Sequence, residues 1–182
     1  MAVRPVRLYG DPVLRQKARP VADVDDAVRA LVDDLRETMA AYHGVGLATN
    51  QIGILQRVLV VDVPVDGQSR ARVALINPVL DQRSGTETGE EGCLSIPGLY
   101  EDVRRAQQVR VRALDEQGQQ VEFIAEGFVA RAIQHEVDHL DGVLFVDRLS
   151  LLKRQFLRPA LESLARGELP EDYRPPVPGG AV

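Results

Sequence analysis

His135-Glu136-Val137-Asp138-His139 holds two of the chain's three histidines, four positions apart, with an acid directly after the first. On an α-helix, positions i and i+4 lie about 40° apart on one face, so both imidazoles can reach a single ion. Glu136 falls on the same half of the helix, close enough to touch a water bound to that ion. The pattern suits metal-assisted hydrolysis. Outward from it, a helix is expected from about Phe128 to Asp141. One face carries Phe128, Ala132, His135 and His139, and the opposite face carries Ile133, Val137 and Leu140. A helix apolar on this second face is enclosed by other elements. Its histidines are therefore expected to open into an internal cleft.

The rest of the chain reads as mixed α and β. Asp11-Pro12 looks like an N-cap followed by proline at the first helical position, opening a short helix through about Ala18. From Asp25 to His43, Val28, Leu31, Val32, Leu35 and Met39 recur at three- and four-residue spacing, with Gly44 placed to end that helix in a left-handed conformation. Arg57 to Val63 is a β-branched strand closed by Pro64, and Val73 to Leu80 is a second strand interrupted at Asn77-Pro78, as an edge or bulge would be. Gln108 to Leu114 and Gln120 to Ala125 flank the turn Asp115-Glu116-Gln117-Gly118 and read as a hairpin. A last helix spans roughly Ser150 to Arg166, with Pro159 a candidate kink. Its Lys153, Arg154, Arg158 and Arg166 stand against the single acid Glu162.

At 182 residues the chain fits one domain, taken as 1–168, followed by a Pro/Gly-rich flexible tail, 169–182. A net charge of −5 gives no global basic footprint for nucleic acid, so DNA is not an expected partner. Met1-Ala2-Val3-Arg4-Pro5 offers no apolar stretch resembling a signal peptide, and no run approaches transmembrane length. One cysteine, Cys93, leaves no internal disulfide. The expectation is a cytoplasmic protein without membrane contact, as a monomer.

Two histidines on a helix face can also be plain hydrogen-bonded surface groups, so a third ligand has to be found. The long zincin pattern would place it six residues after His139, where Phe145 stands. His43, at a helix end beside Gly44, reads as a charge complementing the helix dipole. Cys93 is the better candidate. A lone cysteine is often an inert buried hydrophobe, but Glu90-Glu91-Gly92-Cys93-Leu94-Ser95-Ile96-Pro97-Gly98 places this one in a glycine- and proline-punctuated loop that can aim a side chain at a cleft. A further stretch, Gly44-Val45-Gly46-Leu47-Ala48-Thr49-Asn50-Gln51, reads either as a helix stop with a tight turn or as close backbone approach to a ligand, with Gln51 as a polar donor.

Together these stretches resemble the peptide deformylases. That family shows Gly-x-Gly-Leu-Ala-x-x-Gln, then Glu-Gly-Cys-Leu-Ser, then Gln-His-Glu-x-Asp-His. This chain has all three in order, as Gly44 to Gln51, Glu91 to Ser95 and Gln134 to His139, and the resemblance covers essentially residues 4 to 166. The family's usual second alanine after Leu-Ala is here Thr49, where altered packing is the expected consequence.

The resemblance implies an α+β fold, mainly antiparallel sheets around the central His-Glu-x-x-His helix, with a C-terminal helix. It assigns Cys93, His135 and His139 as ligands of one divalent metal and Glu136 as the general base. Gln51 and the Leu94 backbone N–H become oxyanion donors. It implies ferrous iron, whereas two His and one Cys suit zinc on general grounds, with nickel or cobalt as possible substitutes. The substrate would be a nascent peptide beginning with N-formylmethionine, hydrolysed to formate and a free amine. Substrate contacts are expected from Val45, Gly46, Glu91, Phe128, Arg131 and Ala132. Val45, Leu94, Phe128 and Ala132 are the candidates for an apolar methionine pocket. Arg131 would line it with its stem and send its charge to solvent, unless it forms a structural salt bridge. Asp138, about 60° off the ligand face, orients a neighbour, and Arg105 is the candidate partner of Glu91. The basic last helix is a candidate ribosome contact. Two readings compete: a zincin-like metallopeptidase, and a non-catalytic metal-stabilised binding module.

Overall fold

The computed structural model describes residues 2–65 and 69–175. Of the tail expected over 169–182, residues 176–182 lie outside them. The described part is an α+β structure in which one long sheet is covered on both faces. That sheet runs β1-β2-β3-β6-β7, antiparallel throughout, with β1 Gly46–Ala48, β2 Val58–Pro64, β3 Arg70–Ser84, β6 Gln108–Leu114 and β7 Gln120–Glu126. A separate antiparallel pair joins β4 Glu87–Cys93 to β5 Ile96–Arg105.

The continuous apolar run of β2 follows from its two covered faces. Leu59, Val61 and Val63 pack with Ala130, Ile133, Val137 and Leu140 of α2 (Gly127–Leu140). Val58 and Val60, on the other side of the pleat, pack with Val28, Leu31, Val32 and Leu35 of α1 (Asp26–Ala41). A third apolar cluster holds the β4–β5 pair to the C-terminal helix α3 (Leu151–Ala165), through Ile96, Val103, Leu144, Phe145, Leu161 and Leu164. Every residue of α2 from Ala130 to Leu140 is buried. The helix is therefore enclosed, as its two-faced pattern requires.

The structure decides between several local expectations and corrects others. The short helix after Asp11 is a four-residue 3-10 turn, Pro12–Arg15, with Asp11 accepting from the Val13 N–H at 2.9 Å. Helix α1 ends at His43, not Gly44, in the left-handed region: His43 has φ +55. The His43 N–H donates to the Ala40 carbonyl at 3.0 Å and the Gly44 N–H to the Met39 carbonyl at 2.8 Å, the paired bonds of a Schellman end. Strand β3 pairs on both sides, so Asn77-Pro78 is not at an edge. It is an interior bulge, with a register shift between Ile76 and Val79 and φ +54 at Asn77. The Asn77 side chain bonds the Val21 N–H and carbonyl, each at 2.8 Å, and ties the N-terminal segment down. Helix α3 runs through Pro159.

The same Schellman arrangement ends the histidine-bearing helix. The Gly142 N–H donates to the His139 carbonyl at 3.0 Å and the Val143 N–H to the Asp138 carbonyl at 2.9 Å. Gly142 has φ +75, and a Cβ there would lie 2.6 Å from the Arg15 carbonyl oxygen. Gly142→Ala is expected to cost about 2–4 kcal/mol, combining the left-handed penalty with overlap against rigid backbone. Urea unfolding measures it, and a loss below about 0.5 kcal/mol would contradict this account.

Candidate active site

Cys93, His135 and His139 come together from two elements. Each offers one ligand atom, and these atoms lie within 4.8 Å of one another. Cys93 Sγ is 3.2 Å from His139 Nε2, and the two imidazoles stand edge to face with centroids 5.0 Å apart. The expectation that Cys93 sits in a loop needs correcting: it ends strand β4, where the pairing to β5 jumps register between Gly92 and Cys93. The glycines of the segment disguised the strand. Phe145, in the place of a zincin's third histidine, is buried and stacks on His135 at 6.2 Å, inclined 22°.

Behind the trio lies a buried charge network. Glu91 accepts from Arg105 through two bonds of 2.9 Å, from Arg131 at 2.9 Å and from His135 Nδ1 at 2.9 Å. The His135 Nε2 edge is thereby left for an ion. Arg105 also reaches Asp138 at 2.5 Å, and Arg148 holds Asp138 from outside at 2.5 and 3.0 Å. Burial by itself would raise the Glu91 pKa. The hydrogen bonds from Arg105 and His135 outweigh it and bring the carboxyl down to about 2.

This network holds two of the expected substrate contacts, Glu91 and Arg131, both of which also line the cleft beside Cys93. Glu91 spends its carboxylate on Arg105, Arg131 and His135. Arg131 does not send its charge to solvent: it is 5% exposed and also donates to the carbonyls of Glu87, Gly89 and Val103. A buried guanidinium needs that many acceptors, and the strand β4 that supplies two of them could not be read from sequence.

The two imidazoles are driven in opposite directions. Desolvation opposes a proton on His135, yet its bonds to Cys93 and Glu91 overcome this and raise its pKa well above the ordinary value. His139, lowered by the same enclosure and then by facing His135, stays neutral. A divalent cation coordinated here would displace the His135 proton. One thiol and two imidazoles suit such an ion, and three ligands leave a position open for water.

Glu136 sits beside the trio, 5% exposed, with Oε2 buried and unbonded among the described residues. Its burial, countered in part by His135, pushes its pKa up to about 7. Gly46 makes room for it: a Cβ on Gly46 would lie 2.5 Å from Glu136 Oε1. Gln51 is oriented by the Ala48 N–H, which donates to its Oε1 at 2.8 Å. Its Nε2 then points to Cys93 Sγ at 3.6 Å and Ser95 Oγ at 3.3 Å. Ser95, buried and overlooked in the sequence reading, stood inside the quoted Glu91 to Ser95 stretch. Thr49 is fully buried and donates its hydroxyl to the Gln56 carbonyl, bracing the same turn.

Cys93, His135, Glu136 and Gln51 lie along a cleft of about 1040 Å³. Val45, Gly46, Leu94, Phe128 and Ala132 line it, and Val45 and Phe128 are 40% and 47% exposed. One bank is the end of α1 with the residues up to Gly46, and the other is the β4–β5 hairpin. His43 lines the cleft and is not part of the trio.

The family model described as polypeptide deformylase matches residues 3–155. A peptide deformylase of Alkalilimnicola ehrlichii is 54% identical over 166 residues, which is 91% of this chain and 93% of that protein. The crystal structure of peptide deformylase from Thermus thermophilus matches with a TM-score of 0.83 and 46% identity, over 90% of this chain and 98% of that one. One from Ehrlichia chaffeensis, in complex with actinonin, matches with a TM-score of 0.84 and 37% identity, over 93% of this chain and 100% of that one.

The depressed Glu91 pKa has a consequence for stability. Its lowering from 4.5 to about 2 corresponds to about 3 kcal/mol of stability. That contribution is complete above pH 4.5 and is lost as the pH falls toward 2. Glu91→Gln leaves two buried arginines short of charge and is expected to lose about 3–5 kcal/mol at pH 7 by urea unfolding. The gap between variant and parent should close as the pH falls. A gap that stays constant down to pH 2 would refute the assignment.

Proposed function

The chain belongs to the polypeptide deformylase family, and from that premise we propose that it removes the formyl group from the N-terminal formylmethionine of nascent polypeptides, releasing formate. The observation that carries this reading is the meeting of Cys93, His135 and His139 with the unbonded Oε2 of Glu136 and the amide of Gln51, beside a cleft of peptide dimensions.

Cys93, His135 and His139 would hold one divalent ion, which supplies Lewis acidity to the attacking water and to the formyl oxygen. Glu136 takes a proton as the water oxygen bonds the formyl carbon. Its pKa of about 7 matches that exchange. When the C–N bond breaks, Glu136 returns the proton to the departing amine nitrogen, so formate and a free amino terminus leave. The Gln51 Nε2–H and the Leu94 backbone N–H donate to the oxygen that gains negative charge. Each such donor is worth ~10²–10³ in turnover. Val45, Leu94, Phe128 and Ala132 receive the methionine side chain, and the Gly46 backbone runs beside it. Cys93 as the third ligand, and Phe145 where a zincin's third histidine would stand, argue against a zincin peptidase. A closed structural metal site would have four protein ligands.

We assign ferrous iron as the native metal by family resemblance, and the cytoplasm as the compartment. Among the described residues no helix is long and apolar enough to cross a membrane. Ribosome contact through α3 rests on a narrow charge: Lys153 pairs with Glu101 at 2.6 Å, Arg158 with Glu162 at 2.7 Å and Arg166 with Glu168 at 2.8 Å. Arg154 has no acidic partner among the described residues. Co-sedimentation with ribosomes that weakens with salt supports the contact, and its absence at low salt removes it.

Anaerobically prepared protein is expected to release formate from a formyl-Met peptide with every peptide bond between residues intact. Cleavage between residues would favour the peptidase instead. Glu136→Ala should retain stoichiometric metal and lose turnover by about 10²-fold or more. Loss of metal and fold together would refute its role as base. Exposure to air should inactivate the iron form and spare nickel- or cobalt-loaded protein, whereas equal, air-stable activity of iron and zinc forms would rule out iron.

A further inference from the structure

Beyond α3 the chain turns back over the cleft. Pro170 packs on Gly98 of β5: a Cβ on Gly98, whose φ is +77, would lie 3.0 Å from Pro170 Cγ. A turn follows, closed by the Tyr173 N–H donating to the Pro170 carbonyl at 3.0 Å. Tyr173 is partly buried, which together with Tyr42 raises its pKa above the ordinary phenol value, and both tyrosines line the cleft. Tyr42 is the C-cap of α1, and its hydroxyl oxygen accepts from the Val6 N–H at 3.3 Å. Gly98 belongs to the hairpin bank and Tyr42 to the α1 bank, so this segment spans the two. Pro170, Asp172, Tyr173, Arg174 and Pro175 all line the cleft that holds Cys93 and Glu136. The family model's match ends at residue 155, so this wall stands outside it.

The cleft, about 1040 Å³, is slightly larger than the roughly 300–1,000 Å³ of a site holding a drug-sized ligand. One methionine side chain beside the metal trio leaves most of that space to the residues that follow it. An aromatic ring on that path offers a large, stiff apolar surface with few rotatable bonds to immobilise. We propose that residues 170–175 form the subsite wall for the second and later residues of the substrate, with Tyr173 as the contact that favours longer peptides. The proposal rests on the deformylase reading of this same cleft.

The test compares four metal-loaded proteins: the full chain, a chain ending at Pro175, a chain ending at Leu169, and Tyr173→Ala. Each is assayed with formyl-Met-Ala and with formyl-Met-Ala-Ala-Ser. The full chain and the chain ending at Pro175 should show a lower KM for the longer peptide. The chain ending at Leu169 and Tyr173→Ala should raise that KM about five-fold or more, with kcat changed less than about two-fold, and erase the preference. In the full chain, hydrogen exchange at amides 171–174 should slow with saturating Met-Ala-Ala-Ser and not with methioninamide. An unchanged KM overturns the proposal, as does an equal change for both peptides, a loss already complete in the chain ending at Pro175, or a gain in rate when the segment is removed. If the chain ending at Leu169 does not fold, Tyr173→Ala and the exchange measurement decide. A full chain that releases no formate from either peptide defeats the deformylase reading instead.

Discussion

One buried carboxylate sets the distance between the two elements on which the site is built. Glu91 and Cys93 are two apart on β4 and so share a face, advancing about 6.6 Å along the strand. His135 and His139 are four apart on α2 and advance about 6 Å along the helix. The two repeats nearly match. When Glu91 bonds His135 at 2.9 Å, Cys93 therefore arrives beside His139, 3.2 Å from its Nε2. Arg131, one turn before His135, extends the match with its own bond to Glu91. Burying these charges costs desolvation energy that hydrophobic residues would not incur. What the network contributes is register: a strand sliding along the helix by one residue would point both Glu91 and Cys93 away.

That register is useful only on a rigid helix, and the sheet makes α2 rigid. Strand β2 presents Leu59, Val61 and Val63 to it while Val58 and Val60 face α1, so the sheet is clamped from both sides. The remaining side of α2 meets β4, and Phe145 closes the space under His135. A helix held on every side keeps two imidazoles 5.0 Å apart. Gly142 and its Schellman bonds then end the helix one turn beyond the last histidine.

Close approach governs the open side. Gly46 lets the carboxylate of Glu136 lie against β1, where any side chain would displace it. Gly44 accommodates the Leu94 side chain from the opposite bank in the same way, with a Cβ there only 2.9 Å from Leu94 Cδ1. Gly92 gives its space to the Tyr100 ring. The glycines of the two quoted loops are thus accounted for by proximity, except that the helix end assigned to Gly44 belongs to His43. A histidine can occupy that conformation because the two Schellman bonds repay its strain.

Helix α2, helix α1, β2 and the β6–β7 hairpin were legible because their periodicity is local, as was the enclosure of α2. So were the residue types of the trio and Glu136, since a four-residue spacing on a helix is itself a geometric statement. Strands β4 and β5 were hidden, because glycines and charged residues break the alternation that marks a strand. The expected reach of the Arg131 charge to solvent failed for a related reason: a charge reads as exposed unless its partners are known, and those of Arg131 lie 28 to 44 residues away. By itself, then, the sequence determined which groups are candidates for the chemistry and that two histidines and Glu136 stand on one helix. Only the tertiary structure decided how far apart they are and what surrounds them, because those distances come from strand–helix contacts that no local pattern encodes.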